Sequence, residues 1–311
     1  MHLMAWFCLL CVGYITVSVP IRTWRLEKGK RRKYVLLQAG QVALLYLGAV
    51  LMLMWIERYF IFHPSPFEAN WRPPNAMALE EVWLDTPQGN RIHAFWCPVA
   101  NAKWTIHYSH GNAGHAGARL GLVQLWQKHL GASVLIYDYP GFGHSTGIPD
   151  EPSCYAASQA CYDWLRNVKK VPPEQLIIYG KSLGCAMATE TAMHNPHRAL
   201  FLMAPFCSIP DMAAEMFPIF PTRWMARTKF DNAAKLAQYQ GVLLIGHGTA
   251  DSVVPFSHGQ RLDTLATQVK TKRFLAFQDF DHMAPPELYY RAAAELLAET
   301  PNEVIPAQEK Q

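Results

Sequence analysis

The chain has 311 residues, half of them hydrophobic and 17% charged, with a formal net charge of +4. That length and apolar content fit one large α/β domain plus an extension, and they exclude a disordered or low-complexity protein. The positive charge is local: residues 22–33 carry seven basic side chains against Glu27, which leaves the remainder mildly acidic, so no basic surface for nucleic acid is indicated.

In chain order, residues 3–21 and 34–56 are free of charge. Each is near the roughly 20 residues that cross a bilayer as a helix. Trp55, Tyr59 and Phe60 suit an interfacial aromatic belt at the end of the second span. A cleaved signal peptide is the competing reading for 3–21, but it lacks the usual basic leader and a clear small-residue cleavage site. The sequence therefore predicts a membrane anchor over residues 1–60, with two helices joined by the basic connector 22–33. Lys and Arg favour the cytoplasmic side, which places the folded domain on the other side: periplasmic or extracellular in a bacterium, luminal in a eukaryote. Membrane lipid is thus an expected partner, through the N-terminal helices.

From about residue 61 the text is that of a folded domain, expected over 61–300 with a polar, frayed tail at 301–311. The proline-punctuated stretches 62–66 and 71–74 lead into it. Glu81–Asp85 and Ile92–Cys97, separated by Pro87-Gln88-Gly89-Asn90, read as a hairpin. Further strands are predicted over 104–109, 133–137, 176–179, 200–204, 242–246 and 274–277. Helical patterns fall between most of them, over 117–129, 154–168, 183–194, 258–266 and 286–297. Such alternation predicts an α/β fold, a mostly parallel sheet with helices on both faces. Seven cysteines show no metal-ligand spacing, and Cys154 and Cys161 would lie about 10 Å apart along one helix. Free buried thiols are expected, with a disulfide between distant segments as the alternative.

Ligands in such a sheet gather at the C-terminal ends of the strands. The run Leu176 to Tyr179 stops at Gly180-Lys181-Ser182-Leu183-Gly184, after which small residues begin a helix. Strand, Gly-x-Ser-x-Gly and helix form a nucleophile elbow, which lifts a serine hydroxyl above the sheet. Ser182 as a plain helix N-cap is the bland alternative. The strand ending at Gly246 runs into His247-Gly248-Thr249-Ala250-Asp251, and the one ending at Phe277 into Gln278-Asp279-Phe280-Asp281-His282. Ser182, Asp251 and His282 then stand in the order nucleophile, acid, base. His282 takes the serine proton, and Asp251 fixes the imidazole tautomer. Asp251 could serve only a turn. Asp279 and Asp281 are rival acids, although Asp281 adjoins His282 and would normally point away from it. His247 is expected to fix the strand-end turn.

The strand ending at Ser109 opens into His110-Gly111-Asn112-Ala113-Gly114. This small-residue loop suits an oxyanion hole built from the backbone N–H groups of Asn112 and Leu183. A phosphate cradle is disfavoured, since no Walker-type Lys-Ser/Thr closes the loop. Tyr137 to Gly147 reads as a tight aromatic turn at the pocket rim. Residues 205–230 occupy the usual place of a cap, and Met212, Met216, Phe217 and Phe220 are candidate substrate-binding residues there; core packing is the competing reading.

Together these motifs, with Tyr59-Phe60-Ile61-Phe62-His63-Pro64 and Asp138-Tyr139-Pro140-Gly141-Phe142-Gly143, resemble the α/β-hydrolase superfamily over residues 60–295. The resemblance is to its Bem46-like branch, that of the α/β-hydrolase-domain proteins 13 and 17. It implies serine hydrolysis of carboxylic esters or thioesters through an acyl-enzyme, with no metal or cofactor. The branch includes protein depalmitoylases, but this chain lacks their cysteine-rich leader, and Met283 stands where many relatives carry Asn. The expected partner is an ester or acyl-thioester substrate, lipidic in the sharpest reading. A serine peptidase of the same fold and a catalytically silent binding module are the alternatives.

Overall fold

The computed structural model describes residues 27–68, 70–74, 77–282 and 285–308. Backbone packing divides the chain between Ile56 and Glu57. Helix α1, Lys28–Ile61, runs through that boundary, and its apolar side chains Leu36, Leu44, Leu51 and Trp55 are exposed. It outlasts the predicted span 34–56 at both ends. Lys and Arg are good helix formers, so the run 28–33 is the first turn and more of the helix rather than a separate connector. Among the described residues, α1 alone is long and apolar enough to cross a membrane. The predicted span 3–21, with Cys8 and Cys11, lies outside the described residues.

The second unit is built on eight strands: β1 (Glu80–Asp85), β2 (Arg91–Cys97), β3 (Thr105–Ser109), β4 (Ser133–Tyr137), β5 (Leu176–Lys181), β6 (Ala199–Met203), β7 (Val242–Gly248) and β8 (Thr271–Phe277). They pair in the order β1-β2-β4-β3-β5-β6-β7-β8. β2 runs against both its neighbours, and all the remaining pairings are parallel. The central strands are buried on both faces, which explains their continuous apolar text. In β4, Val134 and Ile136 join the core on one face, while Leu135 and Tyr137 join that on the other. Each such side chain contributes about 1.5–3 kcal/mol when fully buried.

Helices α2 (Leu120–Leu130), α3 (Glu151–Asn167), α4 (Gly184–His194), α5 (Ile209–Met216), α6 (Thr222–Met225), α7 (Asn232–Leu236), α8 (Phe256–Leu265) and α9 (Glu287–Glu299) cover the sheet. Their ends follow local chemistry. Ahead of α3, Asp150 accepts from Ser153 N–H at 2.8 Å and Ser153 Oγ accepts from Asp150 N–H at 3.0 Å, a reciprocal cap worth about 1 kcal/mol. Gly131, left-handed at φ 59°, stops α2.

Cys97, Cys154, Cys161, Cys185 and Cys207 are all free and buried. Loss of hydration pushes the Cys97 thiol up to about 12 and the Cys207 thiol to about 11. The described part of the expected frayed tail, residues 301–308, is in fact pinned. Ile305 exchanges backbone hydrogen bonds of 2.7 and 3.0 Å with His197, and Gln308 N–H donates to Met193 O at 2.7 Å. Ile305 buries its side chain in the core, an apolar anchor within an otherwise polar stretch.

Candidate active site

The parallel strands deliver their C-terminal loops to one edge of the sheet, and the polar punctuation of the sequence meets there. Ser182 follows β5 with φ +53°, a left-handed conformation that costs a non-glycine residue roughly 1–2 kcal/mol. Tight packing holds the turn in place. Ser182 N–H donates to Met203 O on β6 at 2.8 Å, and Cys185 N–H returns to Ser182 O at 2.9 Å. A Cβ on Gly180 would stand 2.5 Å from Gly184 O, and one on Gly184 would stand 2.0 Å from Ser109 O. The two glycines therefore let strand, turn and helix α4 approach each other more closely than any side chain allows. The Cys185 thiol lies inside this turn, with Sγ 3.3 Å from Gly180 O.

Ser182 Oγ lies 2.9 Å from His282 Nε2, and His282 Nδ1 lies 2.8 Å from Asp251 Oδ2. The three residues predicted from separate strand ends are thus brought into one hydrogen-bonded line. It runs inward: the His282 side chain is 15% exposed and that of Asp251 is fully buried. Burial opposes ionisation of Asp251. Hydrogen bonds from His247, His282 and the Val254 N–H outweigh it and hold the carboxyl well below the usual carboxylate range. Asp251 Oδ1 accepts the Val253 and Val254 N–H groups at 2.9 and 2.8 Å, so the carboxylate cannot rotate freely. His247, as expected, braces this turn through Val254 O at 2.9 Å. Of the rival acids, Asp281 spends its Oδ1 on Ser252 and on the His282 N–H, and Asp279 Oδ1 accepts from Gln278. On the elbow, Lys181 Nζ reaches His282 O at 3.3 Å.

The loop after β3 passes beside the serine: a Cβ on Gly111 would lie 3.5 Å from the Ser182 Cβ. Among the described residues, the N–H groups of Asn112 and Leu183 donate to no backbone carbonyl. The candidate substrate-binding residues of 205–230 are less tightly gathered. Met212 packs on the cluster that contains Leu183, Phe206 and Val254. Met216 is exposed and Phe220 is buried, while Phe217 meets the Phe60 ring edge-on at 5.8 Å.

The matching family model is described as serine aminopeptidase, S33, and covers residues 100–242. An uncharacterized Mycobacterium tuberculosis protein is 28% identical over 246 residues, covering 78% of this chain and 86% of its own. Human alpha/beta hydrolase domain-containing protein 17B is 33% identical over 186 residues, 60% of this chain and 63% of the human one. A Pyrococcus furiosus esterase structure superposes with a TM-score of 0.63 at 17% identity, covering 76% of this chain and 98% of its own. The chain belongs to the α/β-hydrolase superfamily.

In this hydrolase the stretch after β4 does more than wall a rim. The Asp138 carboxylate is wholly buried beneath the loop that follows β3. It accepts the Ala116 N–H at 2.7 Å and lies 3.1 Å from His93 Nδ1 and 3.7 Å from His110 Nε2. Burial would raise its pKa; His110, His93 and the Ala116 N–H overcome that and hold it down to about 2. Tyr139 OH also donates to His110 O. An aspartate beside an aromatic turn carries no signal of this in the sequence, because its partners are 22 to 45 residues away.

A depressed carboxyl stabilises the fold above its ordinary unfolded pKa near 4, and that stability is lost as pH falls towards 2. For Asp138 the titratable part is roughly 2 kcal/mol. Urea melts of wild type and Asp138→Asn are therefore expected to differ most above pH 4 and to converge as pH is lowered to 2. A difference independent of pH would show that Asp138 is protonated in the fold.

Proposed function

We propose that this hydrolase is a membrane-anchored serine hydrolase that cleaves carboxylic ester or acyl-thioester bonds. The line from Ser182 Oγ through His282 to Asp251, at 2.9 and 2.8 Å, carries the reading. His282 Nε2 accepts the Ser182 proton as Oγ attacks the acyl carbonyl, and Asp251 stabilises the imidazolium. The N–H groups of Leu183 and Asn112 receive the developing oxyanion. His282 then protonates the leaving alcohol or thiol, and water activated by the same imidazole releases the acid from the acyl-serine.

α1 serves as the anchor in this proposal, since its exposed apolar surface is what a bilayer would cover. The layout is an anchor over residues 1–60, a catalytic domain over 61–300 with a cap at 205–230, and a short C-terminal segment. The basic run preceding the apolar span favours a domain on the non-cytoplasmic side, and a C-terminal reporter active only in the cytoplasm would overturn that topology. Met212, packed on the buried cluster that includes Leu183, is the best placed of the cap candidates to meet an acyl chain. The aminopeptidase description of the family model favours a second reading, peptide hydrolysis. A panel of p-nitrophenyl esters, acyl-thioesters and aminoacyl anilides assayed with wild type and Ser182→Ala separates the two. We expect turnover of esters and thioesters that is lost in the variant; cleavage of the anilides alone would replace the reading with a peptidase.

A further inference from the structure

The segment leaving α1 is bound along its length to the loop that follows β3. Asn112 is the hub. Its Oδ1 accepts the His63 N–H at 3.0 Å, and its Nδ2 donates to Ile61 O at 2.8 Å and to His63 Nδ1 at 2.7 Å. The amide orientation follows from chemistry, because the His63 N–H needs an acceptor and Ile61 O needs a donor. Two residues on, Ser65 Oγ accepts the Gly114 N–H at 3.3 Å, and Ser65 O accepts the Gly143 N–H at 3.0 Å. Phe67 then lies between His115 and His144, with ring centroids at 3.8 and 4.2 Å. Glu68 completes the contact, 3.0 Å from His115 Nε2.

Residues 61–68 therefore form a strap across loop 110–115. The loop needs one. Ala113 and Gly114 are both left-handed, at φ 62° and 71°, and loop geometry of this kind has little rigidity of its own. With its side-chain amide committed to the strap, Asn112 has only its backbone N–H to offer the pocket.

We infer that the strap is a positioning element of the active site: it fixes the direction of the Asn112 N–H and so sets the strength of the oxyanion hole. This rests on the serine-hydrolase reading above. Ile61, His63 and Ser65 act through the loop and touch no reacting atom. The stretch that connects the apolar helix to the domain is then part of the catalytic apparatus rather than a linker, and a displacement of that stretch changes kcat.

The test uses the full chain in detergent micelles with Asn112→Ala, Ser65→Ala and Ser65→Thr. A fluorophosphonate titrates the active sites, so kcat is expressed per reactive serine. A misplacement near 1 Å costs about 100-fold in rate, so Asn112→Ala is expected to lower kcat by about 10- to 100-fold. Its KM for p-nitrophenyl butyrate should stay within about twofold, since the oxyanion contact is made in the transition state. The inhibition constant of octyl trifluoromethyl ketone, whose adduct places an oxyanion in the hole, should rise by the same factor as kcat falls. Ser65→Ala should show a smaller loss of the same kind, with Ser65→Thr restoring the acceptor and the rate. If kcat per reactive serine and the ketone constant stay at wild-type values, the strap is only structural and the inference fails, whatever happens to yield or melting temperature. If wild type does not react with the fluorophosphonate, the reading of Ser182 fails and the inference fails with it.

Discussion

Ser182→Ala is expected to lower ester turnover by about 10⁴- to 10⁶-fold and to abolish fluorophosphonate labelling, with little change in melting temperature. The magnitude follows from what the hydroxyl does. In the proposed mechanism its oxygen forms the covalent bond to the acyl carbon, and its proton goes to His282 Nε2, 2.9 Å away. Without it, water must attack unaided in a pocket shaped for another nucleophile. The fold loses little, because the left-handed backbone at φ +53° costs alanine about what it costs serine. The bonds that hold the turn are made by backbone atoms, from Ser182 N–H to Met203 O and from Cys185 N–H to Ser182 O. Labelling of wild type and silence of the variant suffice to read the outcome. Persistent labelling of the variant would move the nucleophile elsewhere.

The second large effect is expected at Asp251. Asp251→Asn should reduce kcat by about 10⁴-fold with KM nearly unchanged, measured on the same ester under saturating substrate. The argument is one of tautomers. Asp251 Oδ1 accepts two backbone N–H groups, from Val253 and Val254. An amide in its place would turn its oxygen to those donors, which aims its NH₂ group at His282 Nδ1, now 2.8 Å from a carboxylate oxygen. The imidazole must then accept at Nδ1 and carry its proton on Nε2, where it cannot receive one from Ser182. A loss below about tenfold would mean that the carboxylate neither fixes the tautomer nor stabilises the imidazolium.

Much of this site is legible in the sequence because each member sits where an apolar run stops. Gly180 to Gly184, Asp251 and His282 all follow apolar runs in their strands, and a parallel sheet carries such stops to one edge. The β1–β2 hairpin and the helical patterns are legible for a related reason, since their periods and turn residues are local. Contacts that tie distant segments together are not. Asn112 meets His63 across 49 positions, and neither residue advertises the other. Asp138 reads as a turn residue although it underpins the loop beside Ser182. Helix α1 starts before its apolar text begins because charge at a helix end does not stop a helix. The tail reads as frayed because one Ile305 carries its docking. Over 205–230, Met and aromatic residues suit core and pocket alike; Met212 packs against the buried cluster that includes Leu183, whereas Met216 faces solvent.

The buried cysteines have a practical consequence. A thiol reacts with alkylating reagents as its thiolate, and burial raises the pKa of Cys185 as it does those of its fellows. Cys185 sits within the strand–turn–helix that carries Ser182, its sulfur against Gly180 O. A pulse of iodoacetamide, followed by peptide mapping, thus times how often that turn opens in the intact chain. The clock needs no substrate or engineered residue, and it runs equally well in the Ser182→Ala chain.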